Sequence, residues 1–306
     1  MSTQDGEMSA TLHHRPRSPL EDEDLLPEIL LRLPPQPSSL PRASAVCKRW
    51  LRLVSNRGFL RRYRRHHRRS PPLLGFFRND LRGISYTPAM EAPDLVPADR
   101  FSVHLHDAGC RFRLLSCRHG LVLISHSLRN QVLVWDPVTG DQHRIAAPLG
   151  FDMNSTPMDG AVLRAAAVDL HSQILAVIQV PANMFAKGQF LMVMRAEGCS
   201  LGILSLSEFR AESWKRNINS DGVVSWVLGQ TFELDKLLPL SSDKTSYISM
   251  LAYAEENNVA FLRTVAGIFM VHLESLQFSK LPESNNAIVC YPFESVYAAA
   301  GIGGAM

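Results

Sequence analysis

Histidine and cysteine side chains, which often bind transition metals, are concentrated in one part of this 306-residue sequence. Structural zinc sites use closely paired ligands such as C-x2-C, whereas the two cysteines of this stretch are seven residues apart. We therefore expect no metal site, and we interpret Cys117 as a small apolar residue on one face of a buried strand that it shares with His119. The stretch is HLHDAGCRFRLLSCRHG, with His104, His106, Cys110, Cys117 and His119.

Motifs for catalysis are missing from the sequence. It contains no G-x-S-x-G, no H-E-x-x-H, no P-loop and no kinase set. The glycines of AGIGGAM are followed by no helix that could bind a phosphate. Trp214 and Trp226 are isolated, and we interpret them as core or rim residues rather than ligand platforms. The sequence therefore predicts a protein that is not an enzyme and that has no cofactor.

A strongly basic segment stands out near the N-terminus. Between Arg42 and Arg69 lie 11 of the 32 Lys and Arg residues and no Asp or Glu, so the rest of the chain has 21 basic and 29 acidic residues. This asymmetry indicates two modules. The run RRYRRHHRR, residues 61–69, has little aromatic interleaving and no nucleic-acid motif after it. We interpret it as a solvated helix end, with a nuclear import signal or nucleic-acid binding as less favoured alternatives.

Composition indicates a globular protein with a core, because 46% of the residues are hydrophobic. No run approaches the roughly 18 consecutive apolar residues of a membrane span. The first residues lack the apolar region of a secretory signal. Five scattered cysteines suit reduced thiols inside a cell. We expect the nucleus, the cytoplasm or both, without membrane attachment.

The stretch LEDEDLLPEILLRLPPQP predicts the first helix. Its leucines and Ile29 recur at helical spacing along one face, and the prolines from Pro34 onward end the helix. Asp24 is the predicted N-cap, because a side-chain oxygen there can accept a free backbone N–H. The predicted face comprises Leu25, Leu26, Ile29, Leu30 and Leu33.

A second helical segment follows, with Ser38 or Ser39 as its cap. Lys48 and Arg52 point away from its apolar stripe, and Val46 with Leu53 adds a second apolar flank. A helical unit of about 45 residues has little burial of its own. Part of this surface is therefore covered either by another protein, which we favour, or by the rest of the chain. The stripe is formed by Leu40, Ala43, Cys47, Trp50, Leu51 and Val54.

These residues resemble the F-box, in particular that of a large family of plant proteins. The resemblance rests on L-x-E-I-L-x-R-L-P in the first helix and V-C-K-R-W-x-x-L-V-S in the third, over about residues 20–63. It implies binding to the Skp adaptor of a cullin-RING ubiquitin ligase. Carried over position by position, the implied adaptor-binding residues are Leu26, Glu28, Ile29, Leu30, Leu33, Pro34, Leu40, Val46, Cys47, Lys48 and Trp50.

One position departs from the family pattern. The family commonly has Leu-Pro about seven residues before Glu-Ile-Leu, and that pair contacts the adaptor. Here Glu21 and Asp22 occupy those places, and a proline is present instead at Pro27. The resemblance therefore implies an adaptor affinity below that of typical members.

From Pro71 onward, short apolar runs alternate with turn residues, a pattern typical of β-strands. WDPVTGD, residues 135–141, predicts a hairpin, and GIFMVHLESLQFSKLP, residues 267–282, predicts a second one of the same kind. CRHGLVLI, VLVWDPVTGD and YPFESVY resemble the F-box-associated β domain, which is propeller-like. The predicted fold is a small helical F-box followed by an all-β, propeller-like domain, α+β by segments.

The predicted organisation is a disordered tail (1–19), an F-box (20–64), a basic linker (65–72) and a β domain (73–306). The resemblance implies a substrate-recruiting subunit of an SCF-type ligase, in which the adaptor connects the F-box to cullin and the β domain binds an unidentified target protein. Nucleic acid is not an expected partner. The alternative is a β-propeller interaction protein without a ligase role, whose N-terminal helices pack on its own core.

Overall fold

Four short helices precede a region of antiparallel strands. The structure, a computed structural model, describes residues 19–20, 22–80, 83–101, 103, 112–146, 165–169, 174–178, 190–196, 200–240, 247–281 and 290–298. Within these ranges, no helix is both long and apolar enough to cross a membrane. The first helices are α1 (Leu25–Leu31), α2 (Ser39–Ser44), α3 (Lys48–Val54) and α4 (Arg57–His66).

Local hydrogen bonds and backbone breaks define the ends of these helices. Asp24 is the N-cap residue of α1, as predicted, but its side chain makes no capping hydrogen bond. The Oδ1 of Asp22 instead accepts the backbone N–H groups of Asp24 (2.8 Å) and Leu25 (3.0 Å). The predicted continuous stripe is interrupted at Cys47, whose extended backbone (φ −163°, ψ 168°) separates α2 from α3. Asn56 caps α4 by accepting two backbone N–H groups.

The β region begins at Leu73 and contains seventeen strands among the described residues, all paired antiparallel. A short helix α5 (Leu234–Leu237) follows the twelfth strand. The strands are β1 (Leu73–Asp80), β2 (Gly83–Pro88), β3 (Phe112–Arg118), β4 (Leu121–His126), β5 (Gln131–Trp135), β6 (Gln142–Ala146), β7 (Ala165–Asp169), β8 (Ile174–Ile178), β9 (Phe190–Ala196), β10 (Ser200–Ser207), β11 (Arg210–Ile218), β12 (Val224–Glu233), β13 (Ser249–Ala254), β14 (Val259–Thr264), β15 (Gly267–His272), β16 (Phe278–Lys280) and β17 (Tyr291–Glu294).

The sheets follow one another as the blades of a propeller. Three are four-stranded meanders, β3–β6, β9–β12 and β13–β16, and β7 pairs with β8. The last strand returns to the start of the region, because β17 pairs with β1 in the sheet β17-β1-β2. At the centre, β9 lies beside β13, β13 beside β17, and β17 beside β3. The predicted all-β, propeller-like region after a small helical unit is confirmed.

Both predicted hairpins are present. In the first, Asp136 lies between β5 and β6, where its Oδ1 accepts the N–H groups of Val138 (2.9 Å) and Thr139 (3.1 Å). Gly140 then adopts φ 81°, a conformation that glycine tolerates without strain. In the second hairpin, β15 turns into β16. Turn chemistry in the sequence therefore placed these hairpins correctly.

An aromatic cluster fills the core where β1, the first strand of the β region, pairs with β17, the last. Phe77, fully buried on β1, has its ring 5.2 Å from that of Phe293 on β17 and 5.6 Å from that of Trp135 on β5. Tyr86 and Phe101 pack on the same ring. Edge-to-face contacts of this kind add to the stabilisation that comes from burial alone. The cluster thus holds the sheet β17-β1-β2 against the sheet β3–β6.

Charged side chains link sheets at one end of the ring. Arg118, the last residue of β3, makes a bidentate ion pair with Glu255, whose side chain is only 6% exposed. His119 Nδ1 lies 2.6 Å from a carboxylate oxygen of Glu256. Glu294 on β17 accepts the backbone N–H groups of Glu256 and Asn257, while burial raises the pKa of its carboxyl. These contacts tie β3, β13 and β17 into one closed unit.

Breaking this link should lower the stability of the β region. We expect Arg118→Met to cost about 1–3 kcal/mol, because the buried Glu255 carboxylate loses its partner. For a region of this size the melting temperature should fall by roughly 2–4 °C for each kcal/mol. Calorimetry of the full chain measures the shift. Arg144→Met on the exposed face of β6 is the matched control, and equal shifts from both would show that the ion pair adds nothing.

Candidate functional site

The four N-terminal helices, residues 25–66, form what we call the helical unit, and leucines from α1 and α2 fill its centre. Leu26 and Leu30 are each 1% exposed, and Val54 of α3 is fully buried. Leu31, absent from the predicted face of α1, is also buried, whereas the predicted Leu25 is 49% exposed. The helix is rotated relative to the prediction because α4 packs against it.

The residues implied to bind the adaptor fall into two groups. Three of them lie in the core of the helical unit, so they can act on a partner only through the helices that they hold. The remainder are exposed or partly exposed, and Val46, between α2 and α3, is the most exposed large apolar residue of the unit at 61%. The core group is Leu26, Leu30 and Leu40; the accessible group is Glu28, Ile29, Leu33, Pro34, Val46, Cys47, Lys48 and Trp50.

Trp50 is partly buried and partly accessible to solvent. It packs against the core of the helical unit beside Leu53, yet part of its side chain stays accessible to solvent. An open groove of about 310 Å³ runs between the start of α1 and α3, lined by Leu26, Pro27 and Leu53 and by the charged Glu23, Arg49 and Arg52. The helical unit thus presents an exposed apolar side chain at Val46 and an open groove lined in part by charged residues.

The end of α4 is fastened to the end of α1. The Tyr63 hydroxyl donates to the carbonyl oxygen of Pro34 at 2.6 Å, and burial raises the pKa of Tyr63 to about 12. His67 Nε2 lies 2.9 Å from the carbonyl oxygen of Leu31, so this nitrogen donates. Removal from water lowers the pKa of His67 below its ordinary 6.5, and the neighbouring His66 lowers it further.

This histidine should make the helical unit sensitive to acid. Because its folded pKa is depressed, the neutral form is favoured in the fold, and its contribution to stability is complete above pH 6.5. It is lost as the pH falls from 6.5 through the folded pKa. We expect the helical circular dichroism signal to melt at lower temperature at pH 5 than at pH 7.5. His67→Gln should reduce this difference; if it does so no more than the control His143→Gln on β6, the assignment to His67 is wrong.

The C-terminal segment packs into the helical unit. Val296 is 5% exposed and Ala298 is 3% exposed, and both belong to the same apolar cluster as Leu26 and Leu30. The Arg64 side chain donates to the carbonyl oxygen of Ala298 at 2.8 Å. A separate contact joins the helical unit to the segment after β2, where the Ser38 N–H donates to Asp94 Oδ1 at 2.9 Å. The core of the helical unit is therefore completed by residues that follow the last strand.

The basic run is mostly exposed, as the solvated-helix interpretation requires. Arg61, Arg65, Arg68 and Arg69 are exposed, whereas Arg64 is held by the contact with Ala298. Arg62 forms an ion pair with Glu28 of α1, and both side chains are 53% exposed. An ion pair so open to solvent contributes little to stability. The charge of the run is thus available to solvent or to a partner.

The candidate metal ligands are only partly within the described residues. His104, His106 and Cys110 lie outside them. Cys117 is on β3 against the aromatic core, and burial raises the pKa of its thiol well above the usual range. His119 does not share its strand face, because it lies in the following turn with φ 54° and contacts Glu256. In the described part of the chain, no group of three or more His, Cys, Asp or Glu side chains is placed to hold a metal.

Comparison with known protein families identifies the helical unit. Residues 22–62, which include most of this unit, match the model of the F-box domain. This segment is an F-box domain. The F-box spans the whole of α1, α2 and α3 and most of α4. The open Val46 and the core leucines therefore belong to a domain whose shared feature is adaptor binding.

Other comparisons add little for the β region. No curated protein matches the chain. Among solved structures, the WD40 domain of SCAP from fission yeast aligns at 14% identity, over 60% of this chain and 57% of that one, with a TM-score of 0.29. The extracellular domain of a one-component system from B. thetaiotaomicron aligns at 12% identity, over 69% of this chain and 22% of that one, with a TM-score of 0.18. Similarity this low carries no argument.

Proposed function

We propose that this chain is the substrate-recruiting subunit of an SCF-type cullin-RING ubiquitin ligase. The F-box binds a Skp-family adaptor, the adaptor connects to cullin, and the β region binds a target protein. The chain supplies no catalytic group and needs no metal or cofactor. Its contribution is proximity, since holding a target lysine near the conjugating enzyme raises the effective concentration of that lysine.

The observation that supports the proposal most is the match of residues 22–62 to the F-box combined with apolar surface left open on it. Val46 is 61% exposed although it follows a buried helix face. On a segment that matches the F-box, an apolar side chain this open is available for contact with a partner. We propose that the accessible group defined above contacts the adaptor directly, and that Leu26, Leu30 and Leu40 support it from beneath.

Asp22 bears on the strength of this contact. At the place of the family's Leu-Pro pair it uses its carboxylate to cap α1, so it stabilises the helix instead of offering an apolar contact. We propose an adaptor affinity below that of typical F-boxes, and a β region of the F-box-associated type found in plant proteins. A nuclear or cytoplasmic location, or both, follows from the proposed role.

Size-exclusion chromatography tests the proposal. The full chain is mixed with a purified Skp-family adaptor and the N-terminal half of a cullin. The proposal predicts that all three co-elute, and that the chain and the cullin co-elute only when the adaptor is present. Separate elution of the chain under all conditions would contradict it.

A second candidate function has an observation in its favour. Val296 and Ala298 fill part of the helical core, as expected if the helices serve only to pack on the rest of the chain. The protein would then be a propeller interaction protein without a ligase role. The two candidates differ at Val46, which no buried cluster includes: only the ligase role requires that residue for a partner.

A further inference from the structure

The outermost strand of one sheet has an open edge. In the order β12-β11-β10-β9, the inner strand β9 lies beside β13, so β12 is at the perimeter. Within the described ranges, no strand pairs with the other edge of β12. β12 is also ten residues long, the longest strand in the described part of the chain. Such an edge presents unpaired backbone N–H and C=O groups.

Other perimeter strands carry features that discourage pairing. β6 has the sequence QHRIA, with four of its five residues exposed and polar or small. β16 has only three residues. β2 is flanked by β3 and by the short helix Ala98–Phe101. Short length, charge and cover are the usual protections of an edge, and over Val224–Leu228 the strand β12 has none of them.

Apolar side chains line this open stretch. The register pairs Ile218 with Val224, Arg216 with Trp226, and Trp214 with Leu228, so these side chains share one face of the sheet. Ile218, Val224 and Leu228 are 54%, 43% and 47% exposed. On the other face, Val227 is 51% exposed. Both faces therefore offer apolar contacts to a strand placed alongside.

Positive charge accompanies the apolar surface. Lys215 and Arg216 are the charged residues of the paired stretches 214–218 and 224–228, which contain no Asp or Glu. Arg216 Nε is buried without a hydrogen-bond partner, and its guanidinium forms no ion pair with a described residue. A carboxylate of a binding partner would satisfy this charge.

The stretch ends at an irregularity in the strand. The register of β11 against β12 shifts between Glu212 and Trp214. There the Ser213 hydroxyl oxygen accepts a hydrogen bond from the backbone N–H of Gln230 at 2.8 Å. A bulge of this kind twists the strand and terminates regular pairing. The regular edge available to a partner is therefore Val224–Leu228.

We propose that the outer edge of β12 over Val224–Leu228 is the target-binding surface of the β region. It takes an extended segment of the target as an added strand, with alternating apolar side chains over the stripe and a carboxylate directed to Arg216. Backbone hydrogen bonds supply affinity and the alternate side chains supply selectivity. This inference rests on the proposed function, in which the β region recruits the target.

A displayed library of random twelve-residue peptides, selected on the full chain, tests the proposal. We expect selected peptides to alternate apolar residues around an Asp or Glu. Val224→Lys with Leu228→Lys should weaken a selected peptide about tenfold or more, because charge replaces apolar contact. Val265→Lys, at a comparably exposed turn residue, is the matched control and should change nothing. Equal binding by the double variant, or peptides without alternation, would overturn the proposal.

Charge reversal provides an independent arm. Arg216→Glu should weaken the acidic peptide and strengthen the same peptide with Lys in place of its acidic residue. Unchanged preference would overturn the role of Arg216. Adaptor binding is measured on the same variants. Variants that bind the adaptor but no longer bind the peptide support this inference. If the unaltered chain does not bind the adaptor, the proposed function fails and this inference does not. Dimerisation of the unaltered chain that Val224→Lys abolishes would show that a second copy is the occupant.

Discussion

Val296→Asp is expected to unfold the helical unit while the β region remains folded. Val296 is 5% exposed within the helical core, 230 residues or more from most of its neighbours in sequence. An unpaired carboxylate there should cost about 3–5 kcal/mol, since nothing in that cluster can compensate a buried charge. A helical unit this small buries too little apolar surface to stay folded after a loss of that size. Far-UV circular dichroism at 222 nm and thermal melting measure the loss.

The control for this variant is Val265→Asp, which places the same charge at an exposed turn residue. It should leave the helical signal and the melting temperature nearly unchanged. Adaptor binding should fall with Val296→Asp and persist with Val265→Asp. If Val296→Asp keeps the full helical signal, then the helices form a complete core without the C-terminal segment.

The second large effect is expected at Val46. Val46→Glu should weaken adaptor binding by roughly 30- to 1,000-fold, the range for losing an interface anchor worth about 2–4 kcal/mol. Because Val46 is 61% exposed, the substitution should leave the fold intact. Trp50→Ala is a poorer probe, since Trp50 also packs in the helical core and its removal mixes unfolding with loss of contact. Isothermal titration calorimetry with a purified Skp-family adaptor gives the affinities.

Two matched variants accompany Val46→Glu. Val265→Glu introduces the same charge on an exposed apolar residue of the β region and should leave adaptor affinity unchanged. Lys48→Ala, on the exposed side of α3, should cost much less than Val46→Glu. If all three variants bind equally, the apolar face of the helical unit is not the adaptor-binding surface.

Local patterns in the sequence predicted the elements well. The leucine spacing and prolines of the first helix, the turn residues around Asp136 and the alternation of apolar runs each correspond to an observed element. They succeed because capping, turn geometry and side-chain alternation depend on residues close in sequence. The pattern correctly placed Leu26 and Leu30 on the buried side of α1, but it included the exposed Leu25 and missed the buried Leu31, because the packing of α4 decides where the buried face ends.

Contacts between distant residues were not predictable from the sequence alone. The core of the helical unit needs Val296 and Ala298, and periodicity within residues 25–66 contains no sign of them. The burial of Glu255 opposite Arg118, 137 residues away, likewise depends on the closure of the ring. The exposure of β12 arises from its place at the perimeter, whereas its sequence resembles that of an ordinary buried strand.

Amide hydrogen exchange of the full chain, with and without a purified Skp-family adaptor, tests the central claim most directly. If the F-box is the adaptor-binding surface, exchange should slow in α1 to α3 and at Val46 and Cys47 when the adaptor is added. Strands β1 to β17 should exchange at unchanged rates. Protection confined to the β strands, or no protection anywhere at saturating adaptor, would contradict the account.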